Sequence, residues 1–142
     1  MIELEIVEIS DAEEFISQKM IDAFSLHLNE KFGARFEGVI NVSFVSDEEI
    51  KRLNRMYRQK DAVTDVLSFT YEQQGVDDEV IGDVVISLEQ ARRQAEDGDI
   101  ELELADLLVH GVLHVLGYDH EISAEEAKIM FELQDDFVNK II

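Results

Sequence analysis

Cysteine, proline and tryptophan are all absent from the 142 residues. The lack of cysteine excludes disulfides, thiolate metal ligands and a cysteine nucleophile at once. Long apolar runs are missing too. No stretch approaches the roughly 18 apolar residues of a membrane span. The opening Met1-Ile2-Glu3-Leu4-Glu5-Ile6 also lacks the basic start and apolar run of a secretory signal. A cytoplasmic location and no membrane partner are therefore expected. Positive charge is scarce: 12 Lys and Arg stand against 33 Asp and Glu, a formal net charge of −21. Such a chain repels polyanions at long range, so a nucleic-acid substrate has to be held by a local basic patch and by a metal ion. With 46% hydrophobic and 32% charged residues the chain reads as globular, and its length suits one domain with one sizeable core.

Histidine is scarce as well, and its placement is informative. Three of the four histidines fall in His110-Gly111-Val112-Leu113-His114-Val115-Leu116-Gly117-Tyr118-Asp119-His120. Residues i and i+4 of a helix share a face, so the imidazoles of His110 and His114 can reach one cation from the same side. Gly117 stands where a helix ends in a left-handed residue, and the turn returns His120 to the same point. Three neutral nitrogen ligands leave the fourth position of a tetrahedral zinc-like ion open, which marks a catalytic rather than a structural site. Three unrelated histidines would not bring ligand spacing and a helix-stopping glycine together. His27 lies elsewhere and reads as a packed or surface histidine, not a fourth ligand.

The rest of the chain supplies the frame. Residues 2–8 alternate apolar and acidic, as a half-buried strand does. Ser10-Asp11-Ala12-Glu13 is a capping box predicting a helix from there to Phe32, stopped by Gly33. Residues 39–45, 64–70 and 80–86 read as further strands, the last interrupted at Gly82 where a bulge or close backbone approach fits. Capping boxes at Ser46, Ser87 and Ser123 open helices, the second running to about Asp97 and the third to about Asn139. Residues 71–79 read as a loop. Asp99 caps the histidine helix, which is apolar nearly all round and so belongs at the centre of the core. The fold class is α+β: a single domain with a four-stranded mixed sheet, about five helices and a buried central histidine helix. Asp106, one turn before His110 on the same face, either orients that imidazole or is a plain surface acid.

The spacing His-x-x-x-His-x-x-Gly-x-x-His is shared with the metzincin metalloproteases. Those place a glutamate base directly after the first histidine. Here that residue is Gly111, which cannot accept a proton, and Met130 falls inside a predicted helix instead of a tight turn. A zinc metalloprotease is therefore the weaker alternative. A binding module whose metal is merely structural is the other.

The histidine segment resembles the signature of the YbeY family of bacterial endoribonucleases. The likeness continues upstream in Leu53-Asn54, Tyr57-Arg58, Thr64-Asp65-Val66-Leu67-Ser68-Phe69 and Gly82-Asp83-Val84-Val85-Ile86-Ser87, in the family's order. The chain departs from the pattern at Val63 and Thr70, where the family usually has proline, which bears on loop rigidity near the site. The resemblance implies one metal-dependent endoribonuclease domain over residues 1–142, with one zinc ion or similar metal on His110, His114 and His120. It implies single-stranded RNA as substrate and a role in 16S rRNA 3′-end maturation and ribosome quality control. The small ribosomal subunit or its associated factors would be partners, and DNA would not. The family's arginine corresponds to Arg58.

That arginine belongs to the acid-free window 51–60, which holds five of the twelve bases and otherwise reads as a solvated helix face. Next to a metal, a guanidinium can grip a phosphate bidentately as charge builds on it. The expected catalytic groups are thus Arg58 and the ligand His114. Asp65 and Asp119 are equal candidates for general base, Asp119 with the alternative of bracing the turn to His120.

Overall fold

The structure, a computed structural model, describes residues 1–71 and 79–142. The loop expected over 71–79 lies outside the described residues except at its two ends. Four strands, β1 (Ile2–Glu8), β2 (Gly38–Val45), β3 (Val66–Thr70) and β4 (Val80–Ser87), form one sheet in the order β1-β2-β4-β3. The first three in that order are parallel and β3 pairs antiparallel to β4, so the sheet is mixed, as expected. Among the described residues there are five α-helices, α1 (Gln18–Phe32), α2 (Asp47–Arg58), α3 (Leu88–Gln94), α4 (Ile100–Val115) and α5 (Ala124–Ile141).

Alternation decides what each strand buries. Ile40, Val42 and Phe44 of β2 and Val84 and Ile86 of β4 point into the main core with α1, α4 and α5. Val45, Leu67 and Val85 point to the other face and pack with Ile50 of α2. The sheet is thus covered on both faces, with α4 at the centre. Asp99 caps α4 by accepting from the Leu102 N–H at 3.1 Å.

Two glycines let α4 lie close on the sheet. A Cβ on Gly111 would stand 2.5 Å from Cγ1 of Val84, and one on Gly82 would stand 2.4 Å from Cγ1 of Val115. Close approach at Gly82 is therefore real, and the register between β2 and β4 also shifts beside it.

Three boundaries differ from the sequence reading. Ser10 caps no helix: it is the first residue of a short 3-10 turn, Ser10–Glu14, whose cap position is Ile9, and α1 begins after Ser17, whose hydroxyl accepts from the Met20 N–H. Strand β3 starts at Val66, two residues later than read; the Asp65 carbonyl still accepts from the Ser87 N–H at 2.9 Å, and the Asp65 carboxylate takes the edge-facing Val66 N–H at 2.8 Å. Helix α3 stops at Gln94, where Ala95 turns extended; a 3-10 turn over Glu96–Gly98 follows, with Asp97 at a φ of 53°.

Candidate metal centre and adjoining cleft

His110 and His114 stand one turn apart on α4, both half-buried. The helix ends as Gly117 takes a φ of 104°. The Gly117 N–H then bonds the His114 carbonyl and the Tyr118 N–H the Leu113 carbonyl, both at 3.0 Å. This is a Schellman closure, and it needs a residue without a Cβ in the left-handed position. The turn carries His120 back over the helix. Asp119 braces it, its Oδ1 accepting from the Glu121 N–H at 2.8 Å.

The three imidazoles converge. Their ring centroids lie 4.7, 5.2 and 5.3 Å apart. One ligand atom from each falls within 4.8 Å of the others, so the group can hold one metal ion. The donors fit that use. Nδ1 of His120 is buried and has no hydrogen-bond partner among the described residues, a costly state for a polar atom that nothing coordinates. Burial, then the two neighbouring imidazoles, lowers the pKa of His114 against the opposite pull of Asp119 and Glu121, which keeps it neutral and able to ligate. His27 stays apart on α1, its Nδ1 3.3 Å from Glu30.

Sequence reasoning missed a partner on α5. Gln134 Oε1 lies 2.8 Å from Nδ1 of His110, which places a proton on Nδ1 and leaves Nε2 for a cation. Burial pushes up the pKa of the Asp106 carboxyl, against the opposite pull of Gln134 and His110. Among the described residues the hydrogen-bond partner of His110 Nδ1 is therefore Gln134, not Asp106. Phe131, also on α5 and partly exposed, stacks on the His110 ring at 6.2 Å and tilts against His120 at 5.6 Å.

A cleft of about 480 Å³ opens beside His114, walled by β3 and by Tyr57 and Arg58 at the end of α2. Arg58 reaches it because β3 is an edge strand. Nη2 donates to the Ser68 carbonyl at 2.6 Å, and the guanidinium lies 5.3 Å from the Phe69 ring centre. Asn54, buried near the end of α2, donates to the Ala62 carbonyl at 2.9 Å and so fixes the chain between α2 and β3. Thr70 ties the other end of β3 to α4 by donating to the Val115 carbonyl at 3.3 Å, a bond that proline at that position cannot make. Asp65 does not join this group. Its oxygens are taken by the Val66 N–H and by the Gln94 amide at 3.0 Å.

The position after the first histidine is closed to a metalloprotease base. Gly111 sits on Val84, so a glutamate there would meet the sheet instead of the cleft. Met130 is fully buried within α5.

The profile described as Endoribonuclease YbeY matches residues 4–142. The chain belongs to the YbeY endoribonuclease family. Curated relatives with that name include one from Petrotoga mobilis, 41% identical over 142 residues, covering 98% of this chain and 95% of the relative. Another, from Carboxydothermus hydrogenoformans, is 45% identical over 133 residues, covering 92% and 90%. Among solved structures, the solution structure of TM1509 from Thermotoga maritima superposes with a TM-score of 0.61 at 31% identity, covering 99% of this chain and 89% of that one. That structure therefore shares the α+β frame, and among the described residues no helix is long and apolar enough to cross a membrane.

Proposed function

We propose that the protein is a metal-dependent endoribonuclease that cuts single-stranded RNA, acting in the cytoplasm on the 3′ end of 16S rRNA during maturation and quality control of the small ribosomal subunit. Family membership supports the reaction class. The observation that carries the reading in this chain is the shared cleft of His114 and Arg58. His110, His114 and His120 would hold one zinc ion or a similar metal, which when bound supplies Lewis acidity at the scissile phosphate. Arg58 has no carboxylate partner among the described residues. With Nη2 anchored on Ser68, its remaining nitrogens neutralise the non-bridging oxygens as charge develops. Of the two carboxylates considered as base, Asp65 has both oxygens engaged by the Val66 N–H and the Gln94 amide, whereas Asp119 uses only Oδ1, for the Glu121 N–H, and the role is proposed for Asp119. Labelled single-stranded RNA and casein, each with and without chelator, test the proposal. Chelator-sensitive RNA cleavage with casein intact is expected, and casein cleavage with intact RNA would overturn it.

A further inference from the structure

The chain has six arginines in a background of 33 acids, and three of those arginines, Arg35, Arg58 and Arg92, have no ion pair among the described residues. Each of the three lies over a phenylalanine ring instead. Two of them, Arg58 and Arg35, line adjoining clefts that share Thr70 and Tyr71 as a common wall. The second cleft, about 220 Å³, has Arg35 and Phe36 on its far side. That volume is below the range of pockets for drug-sized ligands and suits one base or one phosphate.

The aromatic groups here are held as platforms. Phe36 packs edge-on against the buried Phe32 at 6.2 Å, and the Arg35 guanidinium lies 5.4 Å from the Phe36 ring centre. Tyr71 donates its hydroxyl to Asp83, and loss of hydration together with that carboxylate raises its pKa to about 12. The phenol therefore stays neutral, with its ring partly exposed between the two clefts. Cations alternating with fixed aromatic rings are what a flexible polynucleotide strand needs, one for its phosphates and the other for its bases. Glu37 shares the second cleft, so a phosphate there depends on Arg35.

Resting on the nuclease reading above, we propose that the cleft between Tyr71 and Arg35 is a second nucleotide subsite. It takes the next phosphate and base of the same RNA strand that lies over Arg58 and His114. The test is binding and cleavage of oligoribonucleotides, from a dinucleotide to a decanucleotide, by wild type and by Arg35→Gln. Arg35 is exposed, so the variant should melt with the wild type. The decanucleotide should bind about tenfold more weakly to the variant and the salt slope should fall by roughly one phosphate contact. Dinucleotide cleavage and the saturated rate on the decanucleotide should not change, and Arg35→Lys should restore the salt slope. Tyr71→Leu should weaken decanucleotide binding without altering that slope. Equal weakening of short and long substrates, or none, overturns the subsite, as does Arg35-dependent binding of an acidic peptide with RNA binding untouched. Length-dependent RNA binding that Arg35→Gln leaves intact sinks the subsite alone. A wild type that cleaves no RNA sinks the nuclease reading first.

Discussion

Single side chains divide the chemistry between holding the metal and gripping the phosphate, and substitutions should separate the two. Arg58→Ala removes the cleft's guanidinium and its bond to Ser68 while leaving the histidines alone. RNA cleavage should fall roughly a hundred- to thousandfold, the scale of about 2.7–4 kcal/mol of lost transition-state contact. Metal content should be unchanged. Lys60→Ala, in the same basic window, should cost little beyond a shallower salt dependence. Metal content and RNA cleavage measured on both variants decide the matter, and equal modest losses would reduce the window to a docking surface. Gln134→Leu makes the opposite cut: it frees His110 Nδ1 and should weaken metal binding about 10–100-fold, read by competition with a chelating dye. Wild-type affinity in that variant would show that the hydrogen bond orients nothing. Little of this pair was legible in the sequence. His110 and Gln134 lie 24 residues apart on different helices, and no local pattern announces such a contact. The triad itself was legible because helix periodicity and Gly117 act over short range.

At the scale of elements, two glycines serve α4 for different physical reasons. Gly111 is excluded from bearing a Cβ by Val84, whereas nothing lies within 4 Å of the Cβ position at Gly117, whose restriction is its φ of 104°. Gly111→Ala should therefore lift the helix from the sheet and cost about 1–3 kcal/mol in denaturant unfolding. Gly117→Ala should cost about 1–2 kcal/mol through the backbone alone, and Gly117→Asn should recover part of it. A Gly111→Ala protein as stable as the wild type would mean that Val84 moves aside freely. The same contrast explains which elements could be read in advance. Helix α4 declares itself through Asp99, Gly117 and continuous apolar residues. The start of α1 does not, because the complete box at Ser10 outcompetes Ser17, which has Met20 where the box would have an acid. Ala12 decides the outcome: it is fully buried, and its carbonyl takes both the Phe15 and Ile16 N–H groups, closing the turn short.

Over the whole molecule, the metal and the pH act through the same buried helix. A ligand that binds only the folded state stabilises it by about 2.7 kcal/mol at a hundredfold excess over Kd, so chelation should lower the melting temperature. A melt unmoved after confirmed metal loss would mean that the histidines do not grip the ion in the folded core. In the metal-free protein, His114 binds its proton less readily folded than unfolded. The unfolded chain then carries more protons below about pH 6.5, and stability falls as pH drops through that range. Metal loss to protons adds in the same direction. Burial raises the pKa values of Glu103 and Asp106, so these groups favour the folded state as pH falls. Their effect lies nearer the carboxylate range and separates from that of the histidine. Melting curves from pH 8 to pH 5 should therefore slope downward, and His114→Gln should flatten them. The sheet has two outer borders as well. Arg58 occupies one by binding the Ser68 carbonyl of β3. The other, β1, carries the exposed carboxylates of Glu3, Glu5 and Glu8. A second copy that tried to extend the sheet there would set acid against acid. Colloidal behaviour should then answer to these three side chains: light scattering should show Glu3→Gln/Glu5→Gln/Glu8→Gln assembling at neutral pH, where the native chain stays dispersed.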